Sequence, residues 1–126
     1  MRLASLFFSM ANINPTYKDL ETVPNEYVQR KYEIEIAIPE FNAVCPKTGL
    51  PDFGTIYISY VPDQLIVELK SLKLYIVKFR NMGIFHEHVT NKILEDFSKA
   101  CKPHSISVKG DFSPRGGIKT TVSAKN

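Results

Sequence analysis

The hydrophobic period of this chain changes twice, and that order leaves few folds open. Tyr32, Ile34, Ile36 and Ile38 alternate with Glu33, Glu35 and Ala37, the period-two pattern of a half-buried strand. Thr55 to Val61 (TIYISYV) and Gln64 to Lys70 (QLIVELK) are β-rich again, and Pro62-Asp63 between them suits a hairpin turn. Over Ser71 to Arg80 the period turns helical: Leu72, Tyr75, Ile76 and Phe79 share one face, and Asn81-Met82-Gly83 can end it. A second helix is expected from His86 to Cys101, where Val89, Ile93, Phe97 and Ala100 recur and Pro103 follows. Ser105 to Asp111 and Ile118 to Ser123 then alternate once more across the turn FSPRGG. Strands, then helices, then strands on short turns predict an α+β fold, an antiparallel sheet with two helices on one face. A doubly wound parallel sheet does not fit this order, and the Gly-rich dinucleotide fingerprint is absent.

Two segments fall outside this pattern. Pro39 is expected to end the first strand and open an irregular loop, PEFNAVCPKTGLPDFG, of a length that usually carries function. Residues 11–30 are polar, hold Pro15, Pro24, Asn12, Asn14 and Asn25, and keep no sustained period, so they read as an extended arm or irregular lead-in. The expected division is an N-terminal arm over 1–30 and one domain over 31–126. The apolar run Leu3 to Phe8 behind Arg2 resembles a very short signal peptide, but no clean small-residue cleavage site follows. The plainer reading is a frayed N-terminus or extra residues ahead of an alternative start at Met10, and a cytoplasmic protein is expected.

Composition narrows the function classes further. The two cysteines, Cys45 and Cys101, cannot build a disulfide framework, which points to a reducing compartment. No apolar stretch approaches the roughly 20 residues of a membrane span. A net charge of +3 suits an anionic ligand but is too weak and dispersed to imply nucleic acid.

Cys45 heads the candidate chemistry. It lies in Val44-Cys45-Pro46-Lys47, where a nearby cation favours a nucleophilic thiolate, although a lone cysteine is more often a small buried hydrophobe. Asp52 in Pro51-Asp52-Phe53-Gly54 is a turn residue or an acid. Metal chemistry has little support: His86, His88 and His104 are poorly spaced, and HEHVT fails the zinc-helix pattern because Thr90 replaces its second histidine. Glu68 sits within Leu65-Ile66-Val67-Glu68-Leu69, by default a strand carboxylate facing solvent. Lys70, Lys73 and Lys78, with Arg115 beside Gly116, form either a solvated face or a phosphate clamp.

Taken in order, CPKTGLPDFG, ELKSLKLY, FHE and DFSPRGG closely resemble the NADPH-dependent 7-cyano-7-deazaguanine reductases. These are nitrile reductases of the queuosine pathway and members of the tunnel-fold superfamily. The resemblance runs from about Tyr32 to Val122, and Glu68 to Tyr75 meets the family's Glu-x-Lys-Ser-x-Lys hallmark; MRLASLFFS has no counterpart.

The resemblance implies the following roles. Cys45 attacks the nitrile carbon to give a covalent thioimide, Asp52 donates the proton, and NADPH supplies two hydrides as co-substrate. Glu87 reads the donor pair of a guanine-like ring, which one carboxylate can accept. His86, Val67, Glu68 and Leu69 complete the substrate pocket, while Lys70, Lys73, Arg115 and Gly116 hold NADPH. No metal, nucleic acid or membrane partner is implied. The short single-domain form implies a homo-oligomer of two stacked pentamers with sites between subunits. Competing readings are an archaeosine-type amidinotransferase of the same fold, disfavoured by the intact Lys70, Lys73 and Arg115 set, and a non-catalytic nucleotide- or RNA-binding module. The zinc-dependent GTP cyclohydrolase relative would need a metal set that this chain lacks.

Overall fold

A computed structural model describes residues 14–126. The apolar run Leu3 to Phe8 and the start at Met10 lie outside the described residues. A 3-10 turn (Tyr17–Asp19) and a short strand β1 (Thr22–Pro24) lead into β2 (Ile34–Val44), β3 (Pro51–Val61) and β4 (Leu65–Val67). Two helices follow, α1 (Leu69–Val77) and α2 (His86–Cys101), and then β5 (Ser105–Arg115) and β6 (Ile118–Lys125). The main sheet is antiparallel in the order β2-β3-β5-β6, and β1 pairs with β4 in a separate ribbon. The α+β architecture is the one expected from the sequence.

One face of the sheet meets the helices. Ile56, Ile58 and Tyr60 of β3 and Ile106, Val108 and Phe112 of β5 are buried there against Leu72, Tyr75, Phe79, Ile93 and Phe97. An edge-to-face pair joins the layers, Tyr60 on Phe97 at 4.8 Å between ring centroids, and a second, Tyr75 on Phe79 at 5.3 Å, orders the helix side. A buried hydrogen bond ties the helices together: the Tyr75 hydroxyl donates to Asp96 Oδ2 at 2.6 Å, and Lys92 lies 3.2 Å from the same oxygen. Tyr75→Phe therefore leaves a buried carboxylate short of a donor. Its expected cost is about 1–3 kcal/mol, read as a lowered midpoint in urea unfolding.

Three local expectations are corrected. The 39–54 segment is mostly strand, because β2 runs on through Pro39. Ile38 pairs with Ile56 and Phe41 with Gly54, so β2 advances three residues while β3 advances two. This extra residue is a bulge, and it returns Phe41 and Ala43 to the helix-facing side that Ile34, Ile36 and Ile38 occupy. The second correction is that Gln64 to Lys70 does not form a hairpin with Thr55 to Val61; β3 pairs with β5 instead. Glu68 accounts for the difference. Its carboxylate accepts hydrogen bonds from the backbone N–H groups of Lys70 (2.6 Å) and Ser71 (2.8 Å), which caps α1 and starts it at Leu69. The three residues left ahead of the cap, Leu65 to Val67, pair with Thr22 to Pro24. The third concerns the lead-in, where Leu20 joins the core and Asn25 is buried, its amide donating to the Asp63 carbonyl at 2.8 Å.

Candidate active site

The site forms where both ladder irregularities and the start of α2 converge. Phe41 and Ala43 set the inward parity at the end of β2, and Cys45 is the next position in that row. A tight turn follows: Cys45 N donates to the Leu50 carbonyl at 2.9 Å, and Gly49 N donates back to the Cys45 carbonyl at 2.8 Å. Asp52 continues the inward row of Tyr60, Ile58 and Ile56 to the near end of β3, and it is buried. On β5, Phe112 pairs with Thr120 and Arg115 with Ile118, so a second bulge turns Arg115 to the face of Phe112. The segment before α2 is stitched to the same end of the sheet. Val44 N donates to the Met82 carbonyl and Ile84 N to the Val44 carbonyl, each at 3.0 Å. That ladder delivers His86 and Glu87, the first two residues of α2, to the cysteine turn.

Cys45, Asp52, His86, Glu87 and Arg115 line one open cleft of about 240 Å³, with Pro46, Thr48 and Phe85. Arg115 Nη1 donates to Asp52 Oδ1 and, at 3.0 Å, to the Pro51 carbonyl. His86 Nε2 stands 3.5 Å from Asp52 Oδ2 and is buried without a hydrogen-bond partner among the described residues. The Cys45 thiol is held below its ordinary range, first by the Thr48 hydroxyl and then by the backbone N–H groups of Thr48 and Lys47; burial and the charge of Asp52 oppose them. Burial pushes the Cys101 thiol up to about 12. The chain thus carries one activated and one inert cysteine. Thr48→Val removes the largest of these influences. The pH midpoint for iodoacetamide alkylation of Cys45 should rise, and labelling at neutral pH should slow, while Cys101 stays unlabelled in both proteins.

The remaining sequence candidates lie elsewhere on the chain. Val67 is buried and pairs with Thr22, Glu68 caps α1, and Leu69, Lys70 and Lys73 are exposed on the first turns of α1. Leu69 and Lys73 line a separate groove of about 380 Å³ between α1 and the outer edge of β2. Lys70 and Lys73 make no ion pair among the described residues. Gly116 follows Arg115 in the β5–β6 turn with φ +58°, a left-handed conformation that favours glycine. Among the described residues no group of three or more His, Cys, Asp or Glu side chains is disposed to hold a metal ion, and no helix is long and apolar enough to cross a membrane.

Comparison with known proteins gives this geometry a family. The family model described as QueF-like protein matches residues 51–126. An NADPH-dependent 7-cyano-7-deazaguanine reductase of Chloroherpeton thalassium is 60% identical over 83% of this chain and 90% of its own length. The chain belongs to the QueF-like family. Reductases of the same name from Elusimicrobium minutum and Chlorobaculum tepidum are 54% and 56% identical, over 89% and 82% of this chain and 84% and 88% of their own lengths. The crystal structure of an archaeosine synthase QueF-Like in the apo form superposes with a TM-score of 0.66 over 75% of this chain and 91% of that one. At 21% identity it shares the fold, the tunnel fold.

Within this QueF-like chain, sequence reasoning passed over two cleft residues and one ring packed on a third. Thr48 and Phe85 line the cleft, and the Phe112 ring stacks on His86. The position of Thr48 three residues after the cysteine was the available signal. Nothing in the local pattern marks Phe112 as other than a core residue.

Proposed function

We propose that the chain reduces the nitrile of 7-cyano-7-deazaguanine to the aminomethyl group, consuming two NADPH, in queuosine biosynthesis. The observation that carries this reading is the pairing of an activated Cys45 with Asp52 in one cleft, in a chain more than half identical to reductases of that name. The Cys45 thiolate adds to the nitrile carbon, forming an S–C bond as one C–N π bond becomes a lone pair on nitrogen. Asp52 delivers the proton that this nitrogen takes up, giving a neutral thioimide. A nitrile accepts hydride poorly, and this thioimide, whose nitrogen already carries the proton, accepts it better. One hydride and expulsion of the Cys45 thiolate yield an imine. A second hydride and a proton yield the amine.

Glu87, exposed at the first turn of α2 and lining the cleft, suits the N1–H and 2-amino edge of the base. Glu87→Gln sets an amide donor opposite one of those donors. Substrate binding measured by calorimetry should weaken by about tenfold to a hundredfold; unchanged binding would remove Glu87 from the pocket. His86, Val67, Glu68 and Leu69 complete the substrate contacts in this reading, and Lys70, Lys73, Arg115 and Gly116 receive NADPH. Lys70 and Lys73, which make no ion pair among the described residues, suit its phosphates. The nucleophile and the proton donor are both side chains, so the reaction as written calls for no metal.

Cys45, Asp52, His86, Glu87 and Arg115 line one cleft while Leu69 and Lys73 line a separate groove, so the substrate and NADPH sets are each divided within one chain, which supports a site completed between subunits of a cytoplasmic homo-oligomer, a decamer of two pentamers. Residues 31–126 form the reductase domain in this proposal, with 1–30 as the arm braced on it through β1; neither nucleic acid nor membrane takes part. The deciding experiment follows NADPH absorbance as 7-cyano-7-deazaguanine is added to the purified protein. Two NADPH consumed per nitrile supports the reductase. Conversion of the nitrile in transfer RNA to an amidine without NADPH loss would support the amidinotransferase, and binding without turnover the non-catalytic module.

A further inference from the structure

Phe112 is packed in a way that a core phenylalanine does not require. Its ring lies flat on the His86 imidazole, 4.0 Å between centroids and 2° between planes. The space for that ring comes from two glycines. Gly54 faces Phe112 across the β3–β5 ladder, and a Cβ there would sit 2.9 Å from Phe112 Cδ1 and 2.8 Å from the Asp111 carbonyl oxygen. Gly110 precedes Phe112 by two residues on the same face, and a Cβ there would sit 2.5 Å and 2.7 Å from ring atoms Cε2 and Cζ. A strand glycine forgoes side-chain packing and costs stability, so two of them around one ring mark a close approach that the fold retains. The same Gly110 position lies 2.7 Å from Thr90 Oγ1, and that hydroxyl donates to the His86 carbonyl at 3.0 Å. The slot thus holds both the backbone and the ring of His86.

The imidazole needs this support. Its Nε2 is buried, has no hydrogen-bond partner among the described residues, and stands 3.5 Å from Asp52 Oδ2 in the cleft. With Nε2 unbonded, stacking on Phe112 is what fixes the plane of the ring. We infer that Phe112, seated in the slot left by Gly54 and Gly110, is a positioning residue for the reaction: it aims His86 Nε2 at the Asp52 carboxylate and at the group reacting beside it. The inference rests on the reductase reading above. A buried polar atom left unbonded is costly unless a ligand meets it, and misplacing such a group by about 1 Å costs up to ~100-fold in rate.

The test is a double-mutant cycle on the full chain. Phe112→Leu keeps an apolar side chain in the core but offers no flat face. Turnover is read as product by mass spectrometry, at temperatures well below each variant's melting midpoint. With His86 present, Phe112→Leu should lower kcat by tenfold or more and leave KM for 7-cyano-7-deazaguanine within threefold. In a His86→Asn background the same change should lower kcat by less than twofold, because the ring it aims is gone. Equal losses in both backgrounds would make Phe112 a structural residue only and overturn the inference. So would a Phe112→Leu enzyme with unchanged kcat. If Phe112→Leu does not fold, Phe112→Met takes its place in the cycle. If His86→Asn leaves no measurable turnover, the split decides: a raised KM at constant kcat overturns the inference, and a lowered kcat at constant KM upholds it. A wild-type protein that leaves the nitrile unreduced would instead refute the reductase reading, independently of Phe112.

Discussion

Cys45→Ala is expected to abolish nitrile reduction, by at least ~10⁴-fold in kcat, with the fold intact. The expectation follows from where the thiol sits. Cys45 is half-buried at the mouth of a cleft, outside the packed core, so losing its sulfur leaves no large cavity. Its replacement leaves Asp52, Arg115 and His86 in place, and the nitrile would meet a complete pocket with no nucleophile. Mass spectrometry of the wild type incubated with 7-cyano-7-deazaguanine and no NADPH should find the mass of the nitrile added to the peptide that holds Cys45. Cys101 is a useful internal control. It is buried at the end of α2, its thiol pushed up to about 12, and it should carry no adduct. Adduct on Cys101, or full activity in the Cys45→Ala protein, would refute the assignment.

The sequence carried more of this site than of the strand pairing around it. Both helices and the β5–β6 hairpin are visible as changes of period, because each presents a regular apolar face over several turns or residues. The 39–54 segment is strand that reads as loop, because one bulge residue reverses the parity between Ile38 and Phe41. On the facing strand β3, Asp52, Gly54, Ile56, Ile58 and Tyr60 alternate without interruption as a single inward row, so Asp52 is an acid on a core face instead of a turn residue. The β3–β4 hairpin fails for a different reason. Glu68 interrupts a β-rich run with a helix cap, and local capping outcompetes β propensity where the following Ser71, Leu72 and Tyr75 already favour a helix. The role of Phe112 was not legible at all. It depends on a glycine in another strand and on a ring from another element, and no local period records such an arrangement.

Mixed oligomers should restore what two differently impaired variants lack. Cys45, Asp52 and Glu87 line one cleft, while Lys73 lines a separate groove against the edge of β2 and Lys70 is exposed on the first turn of α1. Among the described residues, strands β2 and β6 end the main sheet with no further strand paired to them, and Leu69 and Ile118 lie 62% and 70% exposed near those edges. Open edges flanked by exposed apolar side chains call for a covering partner, and in the shared-site proposal that partner is a second copy whose thiol works with this chain's lysines. Cys45→Ala alone should be inactive. The Lys70→Ala/Lys73→Ala protein should fold normally, since both side chains are exposed, yet show a KM for NADPH raised by about a hundredfold or more. Co-expressed in equal amounts, the two should assemble at random, and roughly a quarter of the shared sites would then unite an intact thiol with intact lysines. Activity of that order at low NADPH, absent when the separately purified proteins are mixed without subunit exchange, would establish that the site is built from two chains. No recovery in verified mixed oligomers would mean that each chain holds its own complete site. An active particle with the 14.3 kDa mass of one chain, seen by light scattering, would remove the oligomer from the mechanism altogether.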